Sequence, residues 1–155
     1  MNCVRESKNG YAVEKKLIDY IRINLQTMFP SEDIEVEYID DFYDFHIKHN
    51  QKVIKKVEVK SCQFLINNGS RRFGRFDFTN AKNSTRQRTN NIEVCFCVCI
   101  GENFEILGFL NAKTLGIKRY ISHPVLQKTR KLRTEKNFFN RLSIKIREKI
   151  TDNKE

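Results

Sequence analysis

Two carboxylates and a lysine fall on one face of a predicted β-hairpin. The segments 42–48 and 53–62 alternate apolar and polar side chains, as strands of a half-buried sheet do. With a three-residue loop between them, Asp44 lies directly opposite Glu58, with their Cβ atoms about 5 Å apart. Lys60 follows two residues later on the same face. Facing carboxylates repel each other, so this pairing favours a divalent cation between them.

The oxygen ligands at this spacing suit Mg²⁺. This ion usually takes one or two carboxylates and completes its shell with water and phosphate oxygens. Lys60 is placed to orient a water or a phosphate, or to act as a base if its pKa is lowered. The simpler alternative is a solvent-exposed strand face on which lysines at 56 and 60 flank Glu58.

A third carboxylate lies on the apolar stripe of a helix predicted over residues 9–28. Ile18, Ile21 and Leu25 follow Glu14 by four, seven and eleven positions, which is the spacing of one helix face. Glutamate is rarely buried without a partner. The carboxylate pair of the hairpin is one candidate partner, and a lysine at the edge of the core is the alternative.

The elements that must position these residues follow from the periodicity of the chain. Strands are predicted at 34–39, 42–48, 53–62, 71–79, 92–100 and 104–110, and helices at 9–28, 80–91 and 134–150. This order predicts one α/β domain over residues 1–155 with a central mixed sheet. Cys95, Cys97 and Cys99 alternate in one strand and are expected as small buried side chains.

Positive charge is concentrated in two segments. The 155 residues include 29 Lys and Arg against 19 Asp and Glu, a net charge of +10. Residues 71–90 carry +5 and the C-terminal segment 112–155 carries +9, whereas residues 1–70 carry −1. This segregation favours a polyanionic partner, with nucleic acid first and an anionic membrane surface second. Simple solubilisation of the C-terminal surface is the alternative.

Arginines alternate with aromatic residues directly after the hairpin. Arg71, Arg72 and Arg75 surround Phe73 and Phe76, a composition suited to phosphates and exposed base faces. The alternative is that the phenylalanines pack inward while the arginines cover an edge. The remaining candidate nucleic-acid contacts are Lys82, Arg86, Arg88, Arg130, Lys131 and Arg133.

Other features limit the compartment. No run approaches the ~20 apolar residues that a membrane span needs. The N-terminus lacks the apolar stretch of a secretory signal. Five cysteines form no disulfide framework. We therefore expect a cytoplasmic protein that does not enter membranes.

The acidic residues and the lysine together resemble the PD-(D/E)xK nucleases. These have the restriction-endonuclease-like fold and include archaeal Holliday junction resolvases and many restriction enzymes. The resemblance covers about residues 10–100 and consists of Glu14 on a first helix, then Asp44, then the Glu58-Val59-Lys60 segment. Tyr43 stands at the family's proline position. Asp40 and Asp41 are rivals for the aspartate, and the hairpin register favours Asp44.

The resemblance implies a central mixed sheet flanked by helices, with an αβββαβ core. It implies a Mg²⁺-dependent endonuclease that hydrolyses DNA phosphodiester bonds, either structure-selective like a junction resolvase or of restriction type. Asp44, Glu58 and the Val59 carbonyl would hold Mg²⁺, for which Mn²⁺ can substitute, with Glu14 contributing directly or through water. Lys60 would position or deprotonate the attacking water. By analogy the protein is expected to form a homodimer. The alternatives are a non-catalytic basic nucleic-acid-binding protein and a nuclease acting on RNA.

Overall fold

A computed structural model describes residues 3–68, 70–78, 81–115 and 120–153. Its elements in chain order are α1 (Cys3–Met28), β1 (Ile34–Tyr38), β2 (Phe45–His49), β3 (Lys52–Gln63), β4 (Leu65–Asn68), β5 (Ser70–Phe73), β6 (Arg75–Asp77), α2 (Ala81–Thr89), β7 (Glu93–Ile100), β8 (Asn103–Asn111), a 3₁₀ turn (Ala112–Thr114), β9 (Tyr120–Ser122), α3 (His123–Gln127) and α4 (Glu135–Asn153). None of the described helices has the length and apolar character needed to cross a membrane.

Five strands form the central sheet in the order β1-β2-β3-β7-β8. Neighbouring strands are antiparallel except for β3 and β7, which run parallel. A parallel pair needs a long crossover, and this one contains α2 together with β4, β5 and β6. The predicted α/β class with a mixed sheet is therefore confirmed.

Each face of the sheet is covered by its own apolar cluster. On one face, α1 and α4 contribute Leu17, Ile21 and Leu142, which pack with Phe45 and Cys97 of the strands. The expected burial of the alternating cysteines on β7 is confirmed. The other face contains a second cluster, whose fully buried members include Phe76, Ile92 and Phe96 and which also takes in Leu126 of α3. Both helices predicted to be amphipathic thus bury their apolar stripes on the same side of the sheet.

The loop of the β2–β3 hairpin has two residues, not the three that were predicted. His49 pairs with Lys52, and the two residues between them, Asn50 and Gln51, have φ of 50° and 68°. Positive φ at both central positions is typical of the tight turn whose twist matches that of the flanking strands. Asparagine adopts this conformation more readily than most residues.

A β-bulge next to this turn restores the predicted register. Ile47 pairs with Lys55, but Lys48 pairs with Val53, which leaves Ile54 as the extra residue. Beyond the bulge Phe45 lies opposite Val57, the register that a three-residue loop would have given. The shift reverses the alternation near the turn. Simple alternation along 53–62 would place Val53 on the core face with Val57, but Val53 is 42% exposed, and Ile54 is buried instead.

Gly74 connects β5 to β6 where this connection passes the end of β3. A Cβ atom at Gly74 would overlap the backbone carbonyl oxygen of Gln63. Because backbone atoms cannot move aside cheaply, we expect Gly74→Ala to lower the free energy of unfolding by about 3 kcal/mol, measured by urea denaturation. Gly101→Ala is the matched control. A Cβ at Gly101 meets no atom within 4 Å, and only its φ of +61° is unfavourable, so its loss should be about 1 kcal/mol. Equal losses would contradict the proposed steric clash.

Candidate active site

Asp44 is fixed by backbone hydrogen bonds on both sides. It lies just before β2, where its N–H donates to the Val57 carbonyl at 3.0 Å and its own carbonyl accepts from the Ile39 N–H at 2.8 Å. Its side-chain Oδ2 accepts from the Val59 N–H at 2.6 Å. The carboxylate therefore occupies the β2 side of β3, one position beyond the last paired residue of β2.

Glu58, on β3, lies beside Asp44. Its carboxylate accepts a hydrogen bond from a residue that the sequence analysis did not identify. Its Oε2 accepts a hydrogen bond from Gln87 Nε2 at 2.8 Å. The same amide nitrogen donates to the Phe42 carbonyl at 2.8 Å. Gln87 is only 6% exposed, although it lies on α2, a helix composed almost entirely of polar residues. The only available signal was an uncharged side chain between Arg86 and Arg88.

Glu14 reaches the same place from α1. The half-buried side chain lies close enough to Asp44 for the two carboxyls to interact. Burial, followed by the charge of Asp44, raises the pKa of Glu14 from 4.5 to about 7. Of the two partners considered from sequence, the structure shows the hairpin carboxylate rather than a lysine.

Burial also raises the pKa values of the other two carboxyls. For Glu58 the pKa rises from 4.5 to about 8, chiefly through burial and then through the charge of Asp44, while the charge of Lys60 opposes the rise. Burial raises the pKa of Asp44 as well, opposed first by the hydrogen bond from the Val59 N–H. The site therefore favours retained protons, because burial and then the proximity of the carboxyls to one another disfavour their ionisation, and the charge of Lys60 opposes this for Asp44 and Glu58.

Lys60 extends from the same strand toward an aromatic ring. Its Nζ lies 5.4 Å from the centroid of Phe78, and its charge favours ionisation of both Asp44 and Glu58. Asp40 and Asp41, the rivals of Asp44, are exposed in the β1–β2 connection. Asp41 accepts from the Phe42 N–H and lies 3.8 Å from Arg86.

The donor chemistry of the cluster fits a hard divalent cation. Its ligands are carboxylate oxygens in a partly buried site, and their mutual repulsion would be relieved by a cation. Within the ranges that the structure describes, no three Asp, Glu, His or Cys side chains are arranged as a ligand group for a metal. Asp44 instead accepts from the Val59 N–H and Glu58 accepts from Gln87, and the carboxyls raise the pKa values of Glu14 and Glu58 by their proximity. A bound Mg²⁺ would have to replace protons that these groups share.

Most of the basic residues predicted to contact nucleic acid lie at the surface. Arg71 is exposed and Arg72 half-buried on β5, while Arg75 on β6 lies 5.0 Å from the Tyr120 ring. Arg86 on α2 lies 4.2 Å from the Phe42 ring. Arg88 is half-buried, Arg130 and Lys131 are exposed before α4, and the Lys82 side chain lies outside the described residues.

Arg133 differs from the other predicted contacts. Its Nη2 lies 2.5 Å and 2.7 Å from the two carboxylate oxygens of Glu93, which is 3% exposed. Lys55 is a second cation beside Glu93, at 3.5 Å. Arg133 therefore pairs with a buried carboxylate at the start of β7, unlike the exposed arginines.

The structure thus brings Glu14, Asp44, Glu58 and Lys60 together and places the Val59 backbone beside Asp44. No family model matches the chain, and neither a curated protein nor a solved structure matches it.

Proposed function

We propose that the chain is a Mg²⁺-dependent endonuclease of the PD-(D/E)xK type that hydrolyses DNA phosphodiester bonds. The observation that carries this proposal is the convergence of Glu14, Asp44 and Glu58, from α1, the β1–β2 connection and β3, beside Lys60. Carboxylates that raise one another's pKa are costly to a fold, so their arrangement favours a functional role. The order of α1, β1, β2, β3, α2 and β7 supports a restriction-endonuclease-like core.

Each residue of the cluster has a role in this proposal. Asp44, Glu58 and the Val59 carbonyl would hold Mg²⁺, with Glu14 beside them. The N–H and C=O of one strand residue point to the same side, so the Val59 carbonyl faces the edge that Asp44 occupies. When bound, the ion would stabilise negative charge on the phosphate as a Lewis acid.

Lys60 acts on the attacking water and the phosphate. Its ammonium group lies on the β3 face that carries Glu58. There it contributes positive charge where the pentacoordinate phosphorus of the transition state would accumulate negative charge on its oxygens. Gln87 fixes the orientation of Glu58 from behind, because one amide nitrogen bridges Glu58 and the Phe42 backbone. The arginines of β5, β6 and α2 would bind the backbone phosphates.

Cleavage of defined DNA substrates tests this function. Supercoiled plasmid, linear duplex, a flap and a four-way junction are incubated with the protein in Mg²⁺, in Mn²⁺ and in chelator. We expect nicked or cut products in the presence of either metal and none in chelator. Binding without cleavage under all conditions would favour the non-catalytic alternative, and cleavage confined to an RNA control would favour the RNA nuclease.

Replacement of Gln87 should weaken the site without removing a ligand. In Gln87→Leu the donor to Glu58 is lost, and we expect Mg²⁺ affinity, measured by calorimetry, to fall about 10- to 100-fold. Gln127→Leu, at an exposed position of α3, is the matched control and should leave the affinity unchanged. Equal affinity in the Gln87→Leu variant and in the unsubstituted protein would show that Glu58 needs no such support.

A further inference from the structure

Three aromatic rings form a cluster on the surface beyond the end of β3. Phe64 lies between β3 and β4, Phe73 ends β5, and His123 begins α3. The ring centroids of Phe64 and Phe73 lie 5.1 Å and 5.2 Å from that of His123, and 6.1 Å from each other. Phe64 is 42% exposed and Phe73 is 48% exposed. We call these three residues the aromatic surface.

The backbone holds the aromatic surface in place. His123 is buried, and its Nε2 is hydrogen-bonded to the Phe64 carbonyl at 2.8 Å. The same carbonyl accepts from the Gly74 N–H at 3.3 Å, and the Gly74 carbonyl accepts from the His123 N–H at 3.2 Å. The two phenylalanine rings are therefore presented to solvent by a preorganised support. Clustered exposed apolar side chains of this kind mark interaction sites.

Positive charge lies beside Phe73, where Arg72 Nη1 is 3.5 Å from the Phe73 carbonyl oxygen. Residues 71–75 contain three arginines and no acidic residue. Arg75 lies 5.0 Å from the ring of Tyr120, which is itself 50% exposed. Flat apolar faces beside guanidinium groups match the two features of an unpaired strand, its base faces and its phosphates. An apolar peptide would use the rings but would carry no negative charge to match the arginines.

The aromatic surface lies close to the proposed catalytic lysine. Lys60 and Gln63 belong to the same strand, and Phe64 follows Gln63 directly. Three residues along a strand span about 10 Å, which is the distance between the backbones of Lys60 and Gln63. A strand bound at both places would stack its bases a few nucleotides from the phosphate at Lys60. A continuous duplex keeps its bases stacked on one another and cannot offer them to protein rings.

We propose that the aromatic surface stacks unpaired bases, so that this protein binds DNA containing a single-stranded segment in preference to continuous duplex. The link to cleavage rests on the proposed function, but the binding does not. The preferred substrates are therefore flaps, frayed branch points and duplexes with single-stranded tails.

A single tryptophan tests the contact directly. The chain contains no tryptophan, so Phe73→Trp introduces one fluorophore at the aromatic surface. In chelator, we expect single-stranded DNA to quench its emission saturably, and blunt duplex of equal length to quench it much less. Ile23→Trp, at a position of α1 that is 62% exposed, is the matched control and should not be quenched.

Affinity provides a second measurement. Phe73→Ala should weaken binding of single-stranded DNA at least about fivefold, as expected for the loss of one base–aromatic stack. It should leave blunt-duplex affinity unchanged. Unquenched emission of the Phe73→Trp variant despite DNA binding, or equal losses for both DNA forms in Phe73→Ala, would overturn the proposal. Quenching by single strands without cleavage in Mg²⁺ would support the aromatic surface and reject the nuclease. Cleavage in Mg²⁺ without quenching would support the nuclease and reject base stacking on the aromatic surface.

Discussion

Asp44→Asn should abolish Mg²⁺-dependent DNA cleavage while DNA binding persists. In the unsubstituted protein the Val59 N–H donates to Asp44 Oδ2 at 2.6 Å. An asparagine oxygen can still accept this hydrogen bond, so the local backbone should be retained. The negative charge that would hold the cation is lost, and we expect cleavage to fall at least about 1000-fold. Lys60→Ala should have a similar effect, of about 100- to 10,000-fold, because it removes the group that we propose to act on water and phosphate. Rates are measured on whichever DNA the protein cuts.

Lys56→Ala is the matched control for Lys60. Lys56 lies on the same face of the same strand, but its Nζ is 5.5 Å from the Tyr43 ring, whereas the charge of Lys60 acts on both Asp44 and Glu58. Its replacement should leave the cleavage rate within the same order of magnitude. If the Asp44→Asn and Lys60→Ala variants both cleave like the unsubstituted protein, the active site lies elsewhere.

Glu58→Gln should stabilise the metal-free protein at alkaline pH. Burial and Asp44 raise the pKa of Glu58 from 4.5 to about 8 in the native state. The native protein therefore retains this proton more tightly than the unfolded chain does. Its contribution to stability is complete below pH 4.5 and is lost as the pH rises toward 8. We expect the Tm of Glu58→Gln in chelator to exceed that of the unsubstituted protein by about 3–6 °C at pH 8.5, with little difference at pH 5.

With Mg²⁺ present, the unsubstituted protein should have the higher Tm at pH 8.5, and Glu58→Gln the lower one. If the ion replaces the shared protons, it should raise the Tm of the unsubstituted protein more at pH 8.5 than at pH 6, and raise that of Glu58→Gln little at either pH. Glu102→Gln, at an exposed position in the β7–β8 turn, is the control and should behave like the unsubstituted protein. An equal Mg²⁺ response in the Glu58→Gln variant would exclude Glu58 from the metal site.

Short-range patterns were sufficient to predict the main elements. The apolar stripe of α1 placed Glu14 toward the sheet, and strand alternation placed Glu58 and Lys60 on one face. These periodicities depend on residues a few positions apart, which the chain presents directly. The elements that escaped prediction, β4, the 3₁₀ turn, β9 and α3, have three to five residues and too few positions for a periodicity to emerge. The single strand predicted over 71–79 is divided at Gly74 into β5 and β6, which belong to different sheets.

The hairpin register was right although its loop was wrong. A two-residue turn alone would have moved Asp44 out of register with Glu58, and the extra residue at Ile54 compensates for it. The bulge buries Ile54 in the core and exposes Val53. Local alternation cannot distinguish a three-residue loop from a two-residue loop with a bulge, because both satisfy the burial of Phe45 and Val57.

What the sequence determined by itself was the type of each main element and the side that its carboxylates face. Only the tertiary structure decided that Gln87 holds Glu58, that Arg133 pairs with a buried glutamate, and that Phe73 remains exposed beside His123. These contacts join residues 29, 40 and 50 positions apart. Such long-range contacts depend on how whole elements pack, and the periodicity of a single segment carries no information about them.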